Sequence, residues 1–78
     1  MVIYMDFFIR MVWDNDEKRW AAIGSTGMGL VLESDSFDIL IDRVKQAAPE
    51  MIELNFNYKG AINLVFIIER VDHLVAVN

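Results

Sequence analysis

Few side chains in this sequence are of the kinds that carry chemistry. His73 is the only histidine and there is no cysteine. A single imidazole can shuttle a proton or bind a metal, but no second His or Cys supports it, so it reads as an exposed histidine at a strand end. The run Gly24-Ser25-Thr26-Gly27-Met28-Gly29 has the glycines of a phosphate cradle. It lacks the closing lysine and hydroxyl residue, and no helix follows it. A loop that needs unusual backbone angles is the better reading. Asp14, Asp16 and Glu17 lack the full calcium-loop signature and its closing bidentate acid, so they read as a charged hairpin tip. Trp13 and Trp20 could stack on bases, but no basic patch surrounds them. They are assigned to packing in the first hairpin.

Composition narrows the classes. The chain has 78 residues, 55% of them hydrophobic, with 12 acidic and 7 basic side chains and a formal net charge of -5. That length allows one small domain, residues 1–78, and the hydrophobic content rules out a disordered tail. Without cysteine there is neither a disulfide framework nor a Cys-based zinc site. An acidic pI near 4.5 argues against non-specific nucleic-acid binding, which depends on neutralising phosphates. The N-terminal residues lack a basic region and a small-residue cleavage site. The longest apolar run, Leu64 to Ile68, is far shorter than the ~20 residues that span a bilayer. A cytoplasmic protein with no membrane association is expected.

The hydrophobic period then sets the elements. Ile3, Met5, Phe7, Ile9, Met11 and Trp13 alternate with Tyr4, Asp6, Phe8, Arg10 and Val12, which predicts a strand over 3–13 with one apolar and one mixed face. The polar turn 14–18 leads to a second strand over 19–23, and the glycine loop to a short third strand over 30–33. Next the period becomes helical. Ser36 is the predicted N-cap, with Asp38 favourably placed in the first turn. Phe37, Leu40, Ile41, Val44, Ala48, Met51, Ile52 and Asn55 share one side, and Asp38, Asp42, Lys45, Gln46, Glu50 and Glu53 the other; Ile39 is out of place. Pro49 falls mid-pattern. The stripe stays in phase past it, so one helix kinked at Pro49 is expected, with the proline facing solvent. Gly60 is the expected left-handed residue beyond the helix end. Residues 61–71 read as the last strand, covered on both faces. Asp72-His73 interrupts a pattern that resumes at 74–77, either as a bulge in one strand or as a turn into another.

These elements predict an α+β fold of the order β-β-β-α-β. The first three strands form an antiparallel meander, and the helix returns the last strand parallel to the first by a right-handed crossover. The expected sheet order is 3-2-1-4 with the helix on one face. One helix covers only one face, which leaves Tyr4, Phe8 and Val12 with other apolar residues on the opposite side. Soluble monomers rarely expose a contiguous apolar patch beyond a few hundred Å², and so small a domain has a modest core. Self-association, as a dimer or higher homo-oligomer, is expected through that face or the sheet edge.

Several segments now carry a family resemblance: Trp20-Ala21-Ala22, Gly29-Leu30-Val31-Leu32-Glu33, Ser34-Asp35-Ser36-Phe37-Asp38 and Pro49-Glu50-Met51-Ile52-Glu53-Leu54-Asn55. In this order and spacing they resemble the HicB-like superfamily, and within it the short single-domain branch known as a domain of unknown function. The likeness spans about residues 6–70. It implies a partial RNase H fold, in agreement with the periodicity. It also implies an antitoxin-like role, in which the protein binds a small basic HicA-like toxin that cleaves RNA and blocks its active site. Many HicB proteins add a C-terminal DNA-binding segment. This chain stops at Asn78, so no direct DNA binding is expected. Met28 stands where members often have proline before the Gly-Leu pair.

Analogy with RNase H directs attention to carboxylates able to hold two metal ions. Asp6 on the first strand, Glu69 on the last, and Asp35 and Asp38 at the helix start are the candidates. Their simpler roles are solvated strand positions and a helix start, and fold does not imply function. A metal-dependent nuclease is therefore the lesser alternative. The sequence points instead to a non-catalytic protein–protein interaction module without cofactor or metal, either an antitoxin or a homo-oligomeric regulatory module lacking a toxin. An acidic protein would be steered to a basic toxin, and Asp38, Asp42, Glu50 and Glu53 on the outer side of the helix form the expected partner face.

Overall fold

The computed structural model describes residues 1–76. Strand β1, Met5–Asp14, turns through the polar tip into β2, Arg19–Gly24, and the glycine loop leads to β3, Val31–Ser34. Helix α1, Phe37–Phe56, crosses over to β4, Ile62–Glu69. The sheet has the order β3-β2-β1-β4, with β1 antiparallel to β2 and parallel to β4. This is the α+β arrangement that the alternating and helical periods predict.

Each element has a local cause. At the tip, Asp14 Oδ1 accepts hydrogen bonds from the backbone N–H groups of Asp16 and Glu17. Asp14 thereby closes the turn with its side chain, as short acidic residues commonly do. Trp13 and Trp20 face each other across the β1–β2 ladder with ring centroids 5.3 Å apart, and Phe37 meets Trp20 edge-on at 4.9 Å. Such pairs add to the area that they bury. Ser36 caps α1, its side chain accepting from the Ile39 N–H at 3.3 Å. Just before it, Ser34 Oγ accepts from the Ser36 N–H at 3.1 Å.

The inward stripe of α1 is Leu40, Val44, Ala48 and Ile52, all buried. Against it lie Phe7, Ile9 and Met11 of β1, Trp20 and Ala22 of β2, and the loop residues Met28 and Leu30. The helix runs unbroken through Pro49, which is exposed. On the solvent side of a helix a carbonyl that lacks its N–H partner can be hydrated, so the proline costs least there.

Several boundaries differ from the sequence reading. The residue in the left-handed conformation at the helix end is Asn57, with φ 53°, and not Gly60. Asn tolerates that conformation better than other residues with a Cβ. Strand β4 stops at Glu69, and residues 70–76 belong to no strand; the expected resumption at 74–77 is absent over 74–76, and Val77 lies outside the described residues. Nor is β4 covered on both faces. It is the outer strand of the sheet, and Ile67 and Ile68 remain 43% and 59% exposed. Its apolar residues on two faces match a buried strand in composition only.

Candidate functional site

The side of the sheet away from the helix is assembled by register. Residues paired directly across a ladder point to the same face. On β1 this face carries Asp6, Phe8, Arg10 and Val12; the ladder sets Val65 beside Phe8, Ile67 beside Arg10, and Ala21 beside Val12. Ile23 and Val31 continue it toward the other edge. Tyr4, just before β1, is 57% exposed, Phe8 45%, and Val31 66%, while Val12 is half-buried. Tyr4, Phe8 and Val12, expected on this face from the alternation, are thus joined by apolar neighbours from three other strands. Among the described residues no element covers them.

One ion pair crosses the patch. Arg10 donates from Nε and from its terminal nitrogen to the two carboxylate oxygens of Glu69, each at 2.8 Å. The fork geometry suits a planar guanidinium. This bond holds the Glu69 carboxyl below the usual carboxylate range and the Arg10 guanidinium above its own. At the far end of the face, Asn63 donates to Asp6 Oδ1 at 3.0 Å.

These contacts decide how the candidate carboxylates are arranged. Asp6 lies opposite Asn63 and Glu69 opposite Val12, so the two acids are separated by roughly 20 Å at strand spacing. Asp35 and Asp38 sit at the helix start, exposed. The four do not converge. Among the described residues no group of three or more His, Cys, Asp or Glu side chains is placed to hold a metal ion. His73 is exposed beyond the end of β4. The glycine loop shapes backbone: Gly27 and Gly29 adopt φ of 91° and 76°, which only glycine adopts freely. A Cβ on Gly24 would come within 2.6 Å of the Met28 sulfur.

The acidic side of α1 is as the helical period places it. Asp38, Asp42, Glu50 and Glu53 are all exposed. Glu53 meets Lys59 at 3.4 Å, and both side chains are well solvated, so the pair contributes little.

Two features escaped the sequence reading. Met28 is fully buried, although it lies in a glycine-rich loop that looks solvated. Asn55, a polar residue on the apolar stripe, donates its side-chain N–H to the Met28 carbonyl at 2.6 Å. A polar residue in an otherwise apolar stripe was the available signal, since an amide on the side that meets the core finds a backbone group there to bond. Arg70 also went unnoticed. Its guanidinium lies 4.6 Å from the centre of the Trp13 ring and pairs with Asp72 at 3.0 Å. Among the described residues no helix is long and apolar enough to cross a membrane.

Comparison with known proteins agrees with this architecture. The chain is similar to a crystal structure of a hypothetical protein from the extremely thermophilic bacterium Thermus thermophilus. The likeness covers 91% of this chain and 99% of that one, with a TM-score of 0.67 and 22% identity, and at that identity it establishes the fold alone. No curated protein matches. A family model described as a domain of unknown function, DUF1902, matches residues 6–75. With nearly the whole chain inside that match, the protein belongs to the DUF1902 family.

Proposed function

We propose that this protein is a cytoplasmic, non-catalytic interaction module that self-associates through the uncovered sheet face and neutralises a small basic RNA-cleaving protein, in the manner of a HicB-like antitoxin. The observation that carries the reading is the apolar surface around Tyr4, Phe8 and Val12. It is continuous across the strands and, among the described residues, has no covering element. Surfaces of this kind mark association sites.

The second half of the proposal rests on charge and on the HicB resemblance. An RNA-cleaving protein must be basic to hold its substrate, so a chain of net charge -5 attracts it at long range and competes with RNA. Asp38, Asp42, Glu50 and Glu53 supply that field from one exposed helix side. The alternative, a homo-oligomeric regulatory module without a toxin, shares the sheet face and lacks a use for the acids.

Co-expression decides between the two. The chain is produced with the product of an adjacent small basic reading frame and purified through a tag on that product. Co-purification, relief of growth arrest, and loss of both on charge reversal (Asp42→Lys with Glu50→Lys) are expected. Failure of every such basic product to co-purify removes the antitoxin reading and leaves the oligomeric module.

A further inference from the structure

The self-association proposed above leaves open how copies join. We infer that the outer edge of β4 pairs antiparallel with β4 of a second copy, making one eight-stranded sheet. The inference rests on that proposal and gives it a second, separate contact surface.

The direction of the backbone groups comes first. The Met5 N–H donates to the Ala61 carbonyl, and Met5 stands opposite Ile62 in the parallel ladder. In such a ladder alternate residues of a strand bond to the same neighbour. Asn63, Val65 and Ile67 therefore turn their backbone groups to β1, while Ile62, Leu64, Phe66 and Ile68 turn theirs outward. Natural edge strands are usually blunted by lysine, proline, a bulge or brevity. Strand β4 is eight residues long, and Ile62 to Ile68 contains no charge and no proline.

A second copy is the occupant that this edge fits. With a two-fold axis at Phe66, Leu64 faces Ile68 of the second copy, Phe66 faces Phe66, and Val65 faces Ile67. From Leu64 to Ile68 the outward-turned backbone groups find partners and apolar meets apolar on both faces, while Asn63 falls opposite Glu69 and Ile62 opposite Arg70. The uncharged strip also lets two chains of net charge -5 meet where repulsion is least. The axis stands perpendicular to the sheet, so both helices lie on one side. Helix α1 comes closest to β2 and β3, and toward the end of β4 Ile67 and Ile68 stay 43% and 59% exposed, free to meet a second copy.

Area supports the same occupant. A stable dimer needs on the order of 800 Å² per partner, more than one strand edge provides. The same register carries the segment after β4 alongside residues 57–61 of the other copy. That segment holds Val71, Leu74 and Val75, 66%, 91% and 87% exposed. It reaches a hollow lined by Pro49, Glu53, Tyr58, Lys59, Gly60 and Ile62, whose apolar part is Pro49, Tyr58 and Ile62. Two otherwise unexplained features, an apolar tail and an empty hollow, thereby become each other's partners.

The test uses sedimentation equilibrium and disulfide trapping, which the absence of native cysteine makes clean. The wild-type chain is expected to assemble at micromolar concentration. Ile68→Lys, at an exposed position, should raise the dimer dissociation constant about ten-fold or more while leaving the circular dichroism spectrum unchanged. Mixed Leu64→Cys and Ile68→Cys chains should form a disulfide-linked heterodimer under mild oxidation, and Leu64→Cys alone should not. Directly opposed residues lie within disulfide reach. An unaltered assembly in Ile68→Lys, no trapping in the mixture, or trapping of Leu64→Cys with itself overturns the pairing. If Ile68→Lys fails to fold, the trapping result decides. Dissociation by Phe8→Glu but not by Ile68→Lys leaves the sheet-face contact standing and removes the edge, whereas a monomeric wild type removes both.

Discussion

Arg10 and Glu69 show how a single pair conditions the exposed face. Their two-pronged contact lies amid apolar neighbours, yet each side chain is about half exposed, so water and salt weaken it. The Arg10 hydrogen bonds, more than the bare attraction of opposite charges, lower the folded-state pKa of Glu69. A carboxylate whose pKa falls on folding stabilises the native state above its unfolded pKa, and the contribution is lost as pH drops through the folded value. Accordingly, a side-chain NMR titration of Glu69 should give a midpoint below the ordinary carboxylate range. Arg10→Ala should return it toward that range, with only a small loss of stability near neutral pH. An unmoved midpoint would show that the contact does not persist in solution. Neither the pair nor its position was legible in the sequence, because Arg10 and Glu69 are 59 residues apart and only the parallel register of β1 and β4 brings them together. Asn55 was different. It stood on the apolar stripe in the sequence, and its bond to Met28 explains why a polar residue is kept there.

At the scale of elements, period and capping carried most of the information. Alternation located β1, the Ser36 cap located the start of α1, and the phase of the stripe past Pro49 gave one helix where a proline rule alone gives two. Strand ends were less legible. Strand β4 ends at Glu69 opposite Val12, two residues before β1 ends at Asp14, although the apolar pattern itself resumes beyond it. The same continuity makes Pro49 a test of the helix. A proline in a helix interior costs roughly 3 kcal/mol through a missing hydrogen bond and a ring clash. Part of that cost is offset because proline also restricts the unfolded chain, by about 0.4–1 kcal/mol. Pro49 is exposed, so alanine there creates no cavity. Pro49→Ala should stabilise the fold by about 2 kcal/mol in urea unfolding. No change, or destabilisation, would mean that Pro49 carries no net cost in this helix, with Ala48 and Ile52 seated on the sheet as well beside proline as beside alanine.

At the scale of the whole molecule, the exposed apolar sheet face and the charge of -5 act in opposite directions, and ionic strength separates them. The expectation of an uncovered face was legible from the count of elements, since one helix cannot screen both sides of four strands. What lies against that face was not, because occupancy belongs to a partner and leaves no period in this sequence. Two copies of an acidic chain repel, and at physiological salt that repulsion is screened beyond about 8 Å. Raising the salt therefore favours self-association, and the apolar contacts around Phe8 are strengthened further where the added salt is a sulfate. The proposed capture of a basic partner by Asp38, Asp42, Glu50 and Glu53 would rest on attraction, which the same salt weakens, chiefly by slowing encounter. Sedimentation of the chain alone across a salt series should accordingly show a rising assembly constant. The association rate with a basic RNA-cleaving partner should fall steeply over the same series. A self-association that weakens with salt would place the contact at ion pairs such as Arg10–Glu69 exchanging between copies. It would move the interface off the apolar face that Tyr4, Phe8 and Val12 define.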